Sequence, residues 1–364
     1  MRCEIDRGIF ADMLALVTNA LPSKTTYPVL ANVWLEVANG KLILAGTDLD
    51  TYVRKECALE GKSEDGPAIL PCRKLTEIVR EIQGPRVTLY SKENNIFLEA
   101  DNIRATFVKL DPAEFPEAPK LPEGIVLEFP VATLFEMFAG CGFAVSKDEG
   151  RPAMTGVNWE VSKTETRMVA TDGHRLAFIS RKGKFAARFK VIITSKVLGL
   201  LPQGEASVVV HSDPSRIGFK FQDTLVITKV IEGPYPDYER VIPKGYPAKA
   251  VLGREELAAV LRRAAVLAHP VGRLVIMEFK KNRLVVRAET PELGRSEEPV
   301  ECDYTGDELR IGFNVGYLLE MLRHLSSEKV VLELSTPLSP GVLKPVEPKP
   351  DTEEIYLLMP IRLD

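Results

Sequence analysis

The sequence predicts an α+β fold built by repetition, and three observations point to it. A strand–helix–three-strand pattern restarts six times along the 364 residues. A turn after an apolar strand recurs as Gly46-Thr47-Asp48 and Ala170-Thr171-Asp172, and in degraded form as Ala288-Glu289-Thr290. Two Pro-rich passages, at 111–122 and 233–247, divide the chain into three double units of ~120 residues each.

Each element follows from local pattern. A strand at 2–5 leads to a helix over 7–21, whose apolar stripe is Ile9, Met13, Leu14, Val17 and Leu21, with Pro22 ending it. Strands at 32–37 and 41–45 meet at Asn39-Gly40, a hairpin turn. A strand at 52–59 completes the first unit. The second unit has a helix over 73–83 with Leu75, Ile78, Val79 and Ile82 on one face, then strands at 86–90, 96–100 and 104–110. The third has a helix over 132–145 and strands at 157–161, 167–170 and 176–180, and the fourth a helix over 195–201. Helices over 254–268 and 315–325 belong to the fifth and sixth, and the last strand runs over 355–363. Strands such as Val157-Asn158-Trp159-Glu160-Val161 alternate apolar and polar, which suits antiparallel sheets with helices on one face.

Composition narrows the function. Hydrophobic content is 45% and the formal charge −4, so the surface as a whole is not basic, although one face can still be. No apolar run reaches membrane-spanning length, and the alternating charges of Met1 to Asp6 do not make a signal peptide. Five scattered cysteines without a CxxC and only four histidines give no zinc site and suggest a reduced, cytoplasmic compartment. Neither GxGxxG nor GxxxxGK[ST] occurs. His174 beside Asp172 has the form of a general base with Arg175 next to it, but no Ser or Cys nucleophile carries a supporting motif. Helical cations, among them Arg73, Arg80, Arg262, Arg263 and Arg323, read singly as solvated faces and together as a basic wall.

The sequence Ala170-Thr171-Asp172-Gly173-His174-Arg175-Leu176-Ala177 resembles a signature of the bacterial DNA polymerase III beta subunits, the beta sliding clamps. Gly46-Thr47-Asp48, Tyr235-Pro236-Asp237-Tyr238, Arg240-Val241-Ile242-Pro243, Ile311-Gly312-Phe313-Asn314-Val315 and the ending Met359-Pro360-Ile361-Arg362-Leu363 extend the resemblance over essentially the whole chain.

The resemblance implies three clamp domains, 1–121, 122–246 and 247–364, in a homodimer closed as a ring around double-stranded DNA, with helices lining the hole. It implies no catalysis, cofactor or metal. The ring tethers the replicative polymerase, and the clamp loader and other proteins dock through short peptides. The implied peptide pocket takes Met154, Thr171, Gly173, His174, Arg175 and Leu176 from the middle domain, and Pro236, Arg240 and Val241 from the linker. The last domain adds Asn314, Tyr317, Leu338, Leu357, Leu358, Met359, Pro360, Ile361, Arg362 and Leu363. Lys24, Arg73, Arg80, Arg151 and Lys196 are expected to face DNA, and Phe107, Val266 and Leu267 to form the dimer interface. Gly272, Pro152-Ala153 and a terminal Asp364 depart from the family pattern. An enzyme using Asp172, His174 and Arg175 on the same scaffold is the alternative reading.

Overall fold

The computed structural model describes residues 1–201, 207–243 and 245–363; Asp364 lies outside the described residues. The α-helices among them are α1 (Arg7–Ala20), α2 (Cys72–Glu81), α3 (Val131–Gly142), α4 (Arg254–Leu267) and α5 (Val315–His324). Asp6 starts α1 by accepting from the Ile9 N–H at 3.0 Å, one of the donors a helix start leaves unpaired. Phe10, Met13, Leu14, Val17 and Ala20 form its buried face. Ile9, expected on that face, is largely exposed, because the 10-13-14-17 spacing turns it outward.

The chain forms two compact units. The first comprises residues 1–135 and 196–230. Its eight-stranded sheet has the order Gly66–Pro71, Asn32–Ala38, Lys41–Thr47, Thr51–Ala58, Thr224–Lys229, Arg216–Phe221, Ser207–Ser212, Ile125–Pro130. Its second sheet runs Arg2–Asp6, Arg86–Lys92, Asn95–Ala100, Ile103–Val108. The other unit comprises residues 136–195 and 231 onward. Its nine-stranded sheet has the order Phe189–Thr194, Gly156–Val161, Glu165–Thr171, Arg175–Lys182, Thr352–Leu358, Gly341–Pro345, Lys329–Leu334, Ala248–Gly253, Asp303–Thr305. A four-stranded sheet, Gly294–Glu301, Arg283–Thr290, Leu274–Lys280, Leu309–Asn314, completes it. Both large sheets draw strands from either side of a Pro-rich passage, so compact units and sequence repeats do not coincide.

In the sheets, alternation sets the buried face. In Asn32–Ala38 the side chains of Val33, Leu35 and Val37 are fully buried, while Trp34 and Glu36 lie on the other face, partly open. Asn39 and Gly40 both take positive φ, 51° and 72°, as their two-residue hairpin requires.

Three expectations are corrected. The helix expected at 195–201 is a 3-10 helix, Ser195–Leu200. Six residues with Gly199 inside and Pro202 following are too few to nucleate an α-helix, and Val197 and Leu200, three apart, are its buried residues. The final strand stops at Leu358, because Pro360 brings no N–H to a ladder. A short strand, Asp303–Thr305, pairs with Ala248–Gly253 and was not legible in so brief a run.

Candidate functional site

The Ala170 to Ala177 stretch folds as two strands and a tight turn. Asp172 Oδ1 accepts from the backbone N–H groups of His174 and Arg175 at 2.9 and 3.0 Å. The Thr171 hydroxyl donates to the Arg175 carbonyl at 2.6 Å and accepts from the Gly173 N–H at 3.1 Å. Gly173 takes φ 90°, open to glycine at no steric cost. The first unit repeats the arrangement. Asp48 Oδ1 accepts from Asp50 and Thr51, Thr47 donates to the Thr51 carbonyl, and Leu49 stands at φ 77° in the glycine's place. Asp172 therefore holds a turn, and its second oxygen goes to Arg175 Nε at 3.1 Å. That arrangement does not support Asp172 as the carboxylate partner of a catalytic His174.

Arg175 is 7% exposed. Its Nη1 donates to Glu320 on α5 at 2.5 Å and its Nη2 to the Phe143 carbonyl at 2.7 Å. The guanidinium lies 4.4 Å from the Tyr317 ring centre and 5.3 Å from that of Phe143. A buried cation needs such a complete set of partners. Arg175, expected to line the pocket, thus ties the turn to α5 from beneath, and Tyr317 is committed to it. Phe143 and Glu320, which belong to no motif, are its supports.

Next to this network, His324 stacks on Phe143 at 4.3 Å between ring centres. Burial, then Arg323 and Arg175, lower its pKa from 6.5, with Glu320 opposing. A lowered folded pKa means the neutral ring is favoured by the fold. The contribution is whole above pH 6.5 and is lost as pH falls through the folded value. We expect His324→Phe to flatten the fall in melting temperature between about pH 7 and pH 5, measured by thermal melts across that range.

The C-terminal segment lies along the turn. Thr352–Leu358 pairs with Arg175–Lys182, Leu357 opposite Leu176 and Leu358 opposite Arg175. Met359 N–H then donates to the His174 carbonyl at 2.9 Å, and Ile361 N–H to Gly312 at 2.8 Å. A Cβ at Gly312 would stand 2.8 Å from both the Ile361 carbonyl and the Leu363 side chain, so only glycine lets the tail lie this close. Asn314, the next expected pocket residue, caps α5 through Gly316 and Tyr317 at 2.9 and 3.3 Å.

The linker closes the same region. Tyr238 packs with Leu176, Phe178, Val342 and Leu357, with Tyr235 and Ile242 against the cluster. Leu176, Leu357 and Leu358 are therefore core, not open floor. The accessible apolar groups are Val241, Leu338 and Met359, with Pro360, Ile361 and Leu363 partly open. Met154 is nearly buried, and Pro236 is exposed. Arg240 pairs with Asp237 at 2.7 Å in the open, and Arg362 is exposed. A Cβ added at Gly272 would meet nothing within 4 Å, so the wall beside it is open.

The expected DNA-facing cations divide. Arg73 Nη2 donates to the Pro22 carbonyl at 3.3 Å, Lys24 is exposed beside it, and Arg80 is exposed in the last turn of α2. Lys196 donates to the Ala20 carbonyl at 2.6 Å and pairs with Asp48, so its charge is spent within the unit. Arg151 pairs with Asp148 at 2.9 Å. Of the interface candidates, Val266 is 74% exposed, while Leu267 and Phe107 are half-buried. Phe107 belongs to Ile103–Val108, the edge strand of its sheet, whose Val108 is 68% exposed. Gly294–Glu301 is an edge strand of the other four-stranded sheet.

The five cysteines are unpaired. Burial pushes Cys3 up to about 12 and Cys302 to about 11, so both are thiols near neutral pH. Among the described residues no His, Cys, Asp and Glu cluster has the makings of a metal site, and no helix is long and apolar enough to cross a membrane.

Comparison with known proteins accounts for the whole chain. Models of the DNA polymerase III beta subunit match in order: the N-terminal domain over residues 1–119, the central domain over 128–237 and the C-terminal domain over 239–362. The beta sliding clamp of Pseudomonas putida is 31% identical and that of Escherichia coli K12 29%, each match covering 100% of both chains. The crystal structure of the Thermotoga maritima beta subunit matches with a TM-score of 0.94 at 25% identity, again over 100% of both chains. A Pseudomonas aeruginosa clamp bound to griselimycin matches with 0.93 at 29%, over the same full span. The repeated turn, the antiparallel sheets and these full-length matches together show that the chain belongs to the beta sliding clamp family of DNA polymerase III beta subunits.

Proposed function

We propose that this chain works as a non-catalytic DNA sliding clamp, a homodimeric ring around double-stranded DNA that tethers the replicative polymerase to its template. The observation that carries the reading is the full-length, in-order match to the three beta-subunit domains. It supports a division near 1–121, 122–246 and 247–364. The clamp loader and other partners dock through short peptides, with a Leu or Phe anchor and a Gln-like residue, at the turn and tail. There Val241, Met359, Ile361 and Leu363 supply adaptable apolar surface, and backbone groups supply polar contacts.

Two of the edge strands support a head-to-tail ring, Ile103–Val108 of one chain meeting Gly294–Glu301 of the other, with Phe107, Val266 and Leu267 beside the seam. The test is size measurement with and without nicked circular DNA. A species of twice the chain mass that comigrates with the circle and is lost on linearisation supports the reading. A monomer, or retention on linear DNA, overturns it.

DNA contact is to phosphates. Of these candidates Lys24, Arg73 and Arg80 are exposed, Arg151 contributes beyond its pair with Asp148, and Lys196 acts by fixing the loop after α1. Binding is expected to be weak, indifferent to sequence and salt-sensitive. Arg73→Ala with Arg80→Ala should lower the slope of log affinity against log salt by about 0.9 for each phosphate left without its cation. Salt titrations on two unrelated duplexes check this, and an unchanged slope removes these residues from the DNA face.

A further inference from the structure

The outer face of the eight-stranded sheet holds an open aromatic groove of about 580 Å³, lined by Trp34, Glu36, Ile43, Tyr52, Arg54 and Phe115. A pocket of about 110 Å³ adjoins it, sharing Tyr52, Pro116 and Glu117. None of these residues belongs to the peptide pocket described above.

The chain itself contains a filled version of this face. Strand registers make the correspondence residue by residue. Thr47 lies opposite Tyr52 as Thr171 lies opposite Leu176, and Glu36 opposite Ile43 as Glu160 lies opposite Arg167. Glu36 thus answers to Glu160, and Arg54 to Phe178. In the second unit the linker's Tyr235-Pro236-Asp237-Tyr238 covers the face. Tyr238 lies 6.0 Å from Phe178 between ring centres and donates its phenol O–H to Glu160 at 3.3 Å. In the first unit the matching segment reads Phe115-Pro116-Glu117-Ala118. Phe115 meets Trp34 at 5.8 Å, but Ala118 stands in the motif where Tyr238 does, and it is exposed. One aromatic is missing, and the groove is the space left.

We propose that this groove is a docking site for a segment of another protein with the chemistry of Tyr-Pro-Asp-Tyr. Its second tyrosine would lie between Trp34 and Tyr52, with the phenol donating to Glu36. A groove of this size with aromatic walls has room for a phenol ring together with the backbone that carries it, and Glu36 and Glu117 are the carboxylates that line it. The prolyl residue gives the segment the kink that the chain's own linker uses. A second copy of this chain is not the donor, because its Tyr238 is buried in its own unit and its Tyr235 is packed against the same cluster.

The probe is a synthetic peptide of sequence Gly-Pro-Tyr-Pro-Asp-Tyr-Glu-Arg-Val-Ile-Pro, copied from residues 233–243. Trp34 reports binding, since the other tryptophan, Trp159, is fully buried; Trp159→Phe removes it where the signals overlap. The expected result is a saturable change in Trp34 emission. Ala118→Tyr, which fills the groove from within at an exposed position, should weaken binding by more than about tenfold. Replacing the peptide's second tyrosine with alanine should do the same, without altering the protein. Deleting residues 360–364, which removes the tail pocket, should leave binding of this peptide at the groove intact. The proposal is overturned by absence of saturable binding, by equal affinity for Ala118→Tyr, or by loss of binding on the C-terminal deletion, which would put the peptide at the tail pocket instead.

Discussion

Leu267→Asp should convert the dimer to monomers. In the isolated chain Val266 and Val108 are largely exposed and Leu267 is half-buried at the end of α4, its carbonyl accepting from the Thr290 hydroxyl at 2.7 Å. Covering apolar side chains of this kind contributes ~1.5–3 kcal/mol for each one fully buried. A carboxylate in their midst reverses the sign, because removing an unpaired charge from water costs several kcal/mol. The seam is met twice in a two-chain ring, so each substitution acts twice. Sedimentation velocity at micromolar concentration reads the result, and circular dichroism checks that the monomer remains folded. A variant that still sediments as a tight dimer would show that the seam lies elsewhere.

Deleting residues 360–364 should abolish binding of a labelled polymerase-tail peptide while the dimer persists. The deletion leaves Thr352–Leu358 paired, so the nine-stranded sheet stays whole. It removes the Ile361 hydrogen bond to Gly312 and the Leu363 side chain above that glycine. Two apolar anchors at an interface centre are worth ~2 kcal/mol or more each, so the loss should exceed about a hundredfold. Fluorescence anisotropy on the truncated dimer measures it. Undiminished affinity would leave the turn at Asp172 with only its structural role.

Much of this is legible locally. The Asp172 and Asp48 turns can be read because an aspartate that bonds its own following N–H groups needs only four neighbouring residues. The Asn39-Gly40 hairpin and the spacing of α4 can be read for the same reason. Arg175 cannot. Its partners Glu320 and Phe143 lie 145 and 32 residues away, and no local pattern distinguishes a cation that will be buried from one that will meet a ligand. Leu357 and Leu358 are expected in the pocket but lie in the core, because the sequence shows an apolar tail but not that its first part is a central strand. Lys196 looks like any exposed lysine until the fold brings Asp48 to it. The 3-10 helix at Ser195–Leu200 departs from expectation through its length, since apolar spacing alone does not nucleate a helix.

The eight-stranded sheet has a consequence for how the protein is made. Thr51 and Thr228 share a hydroxyl hydrogen bond at 3.1 Å across 177 residues of sequence. A ribosome moving at about 5–20 residues per second takes roughly ten to thirty seconds to cover that stretch. For that time Thr51–Ala58 is a finished strand without its second neighbour, with backbone donors and acceptors open to any passing chain. Newly begun chains of this protein should therefore depend on chaperone cover more than their modest hydrophobicity suggests, and slowed translation should raise their loss to aggregation.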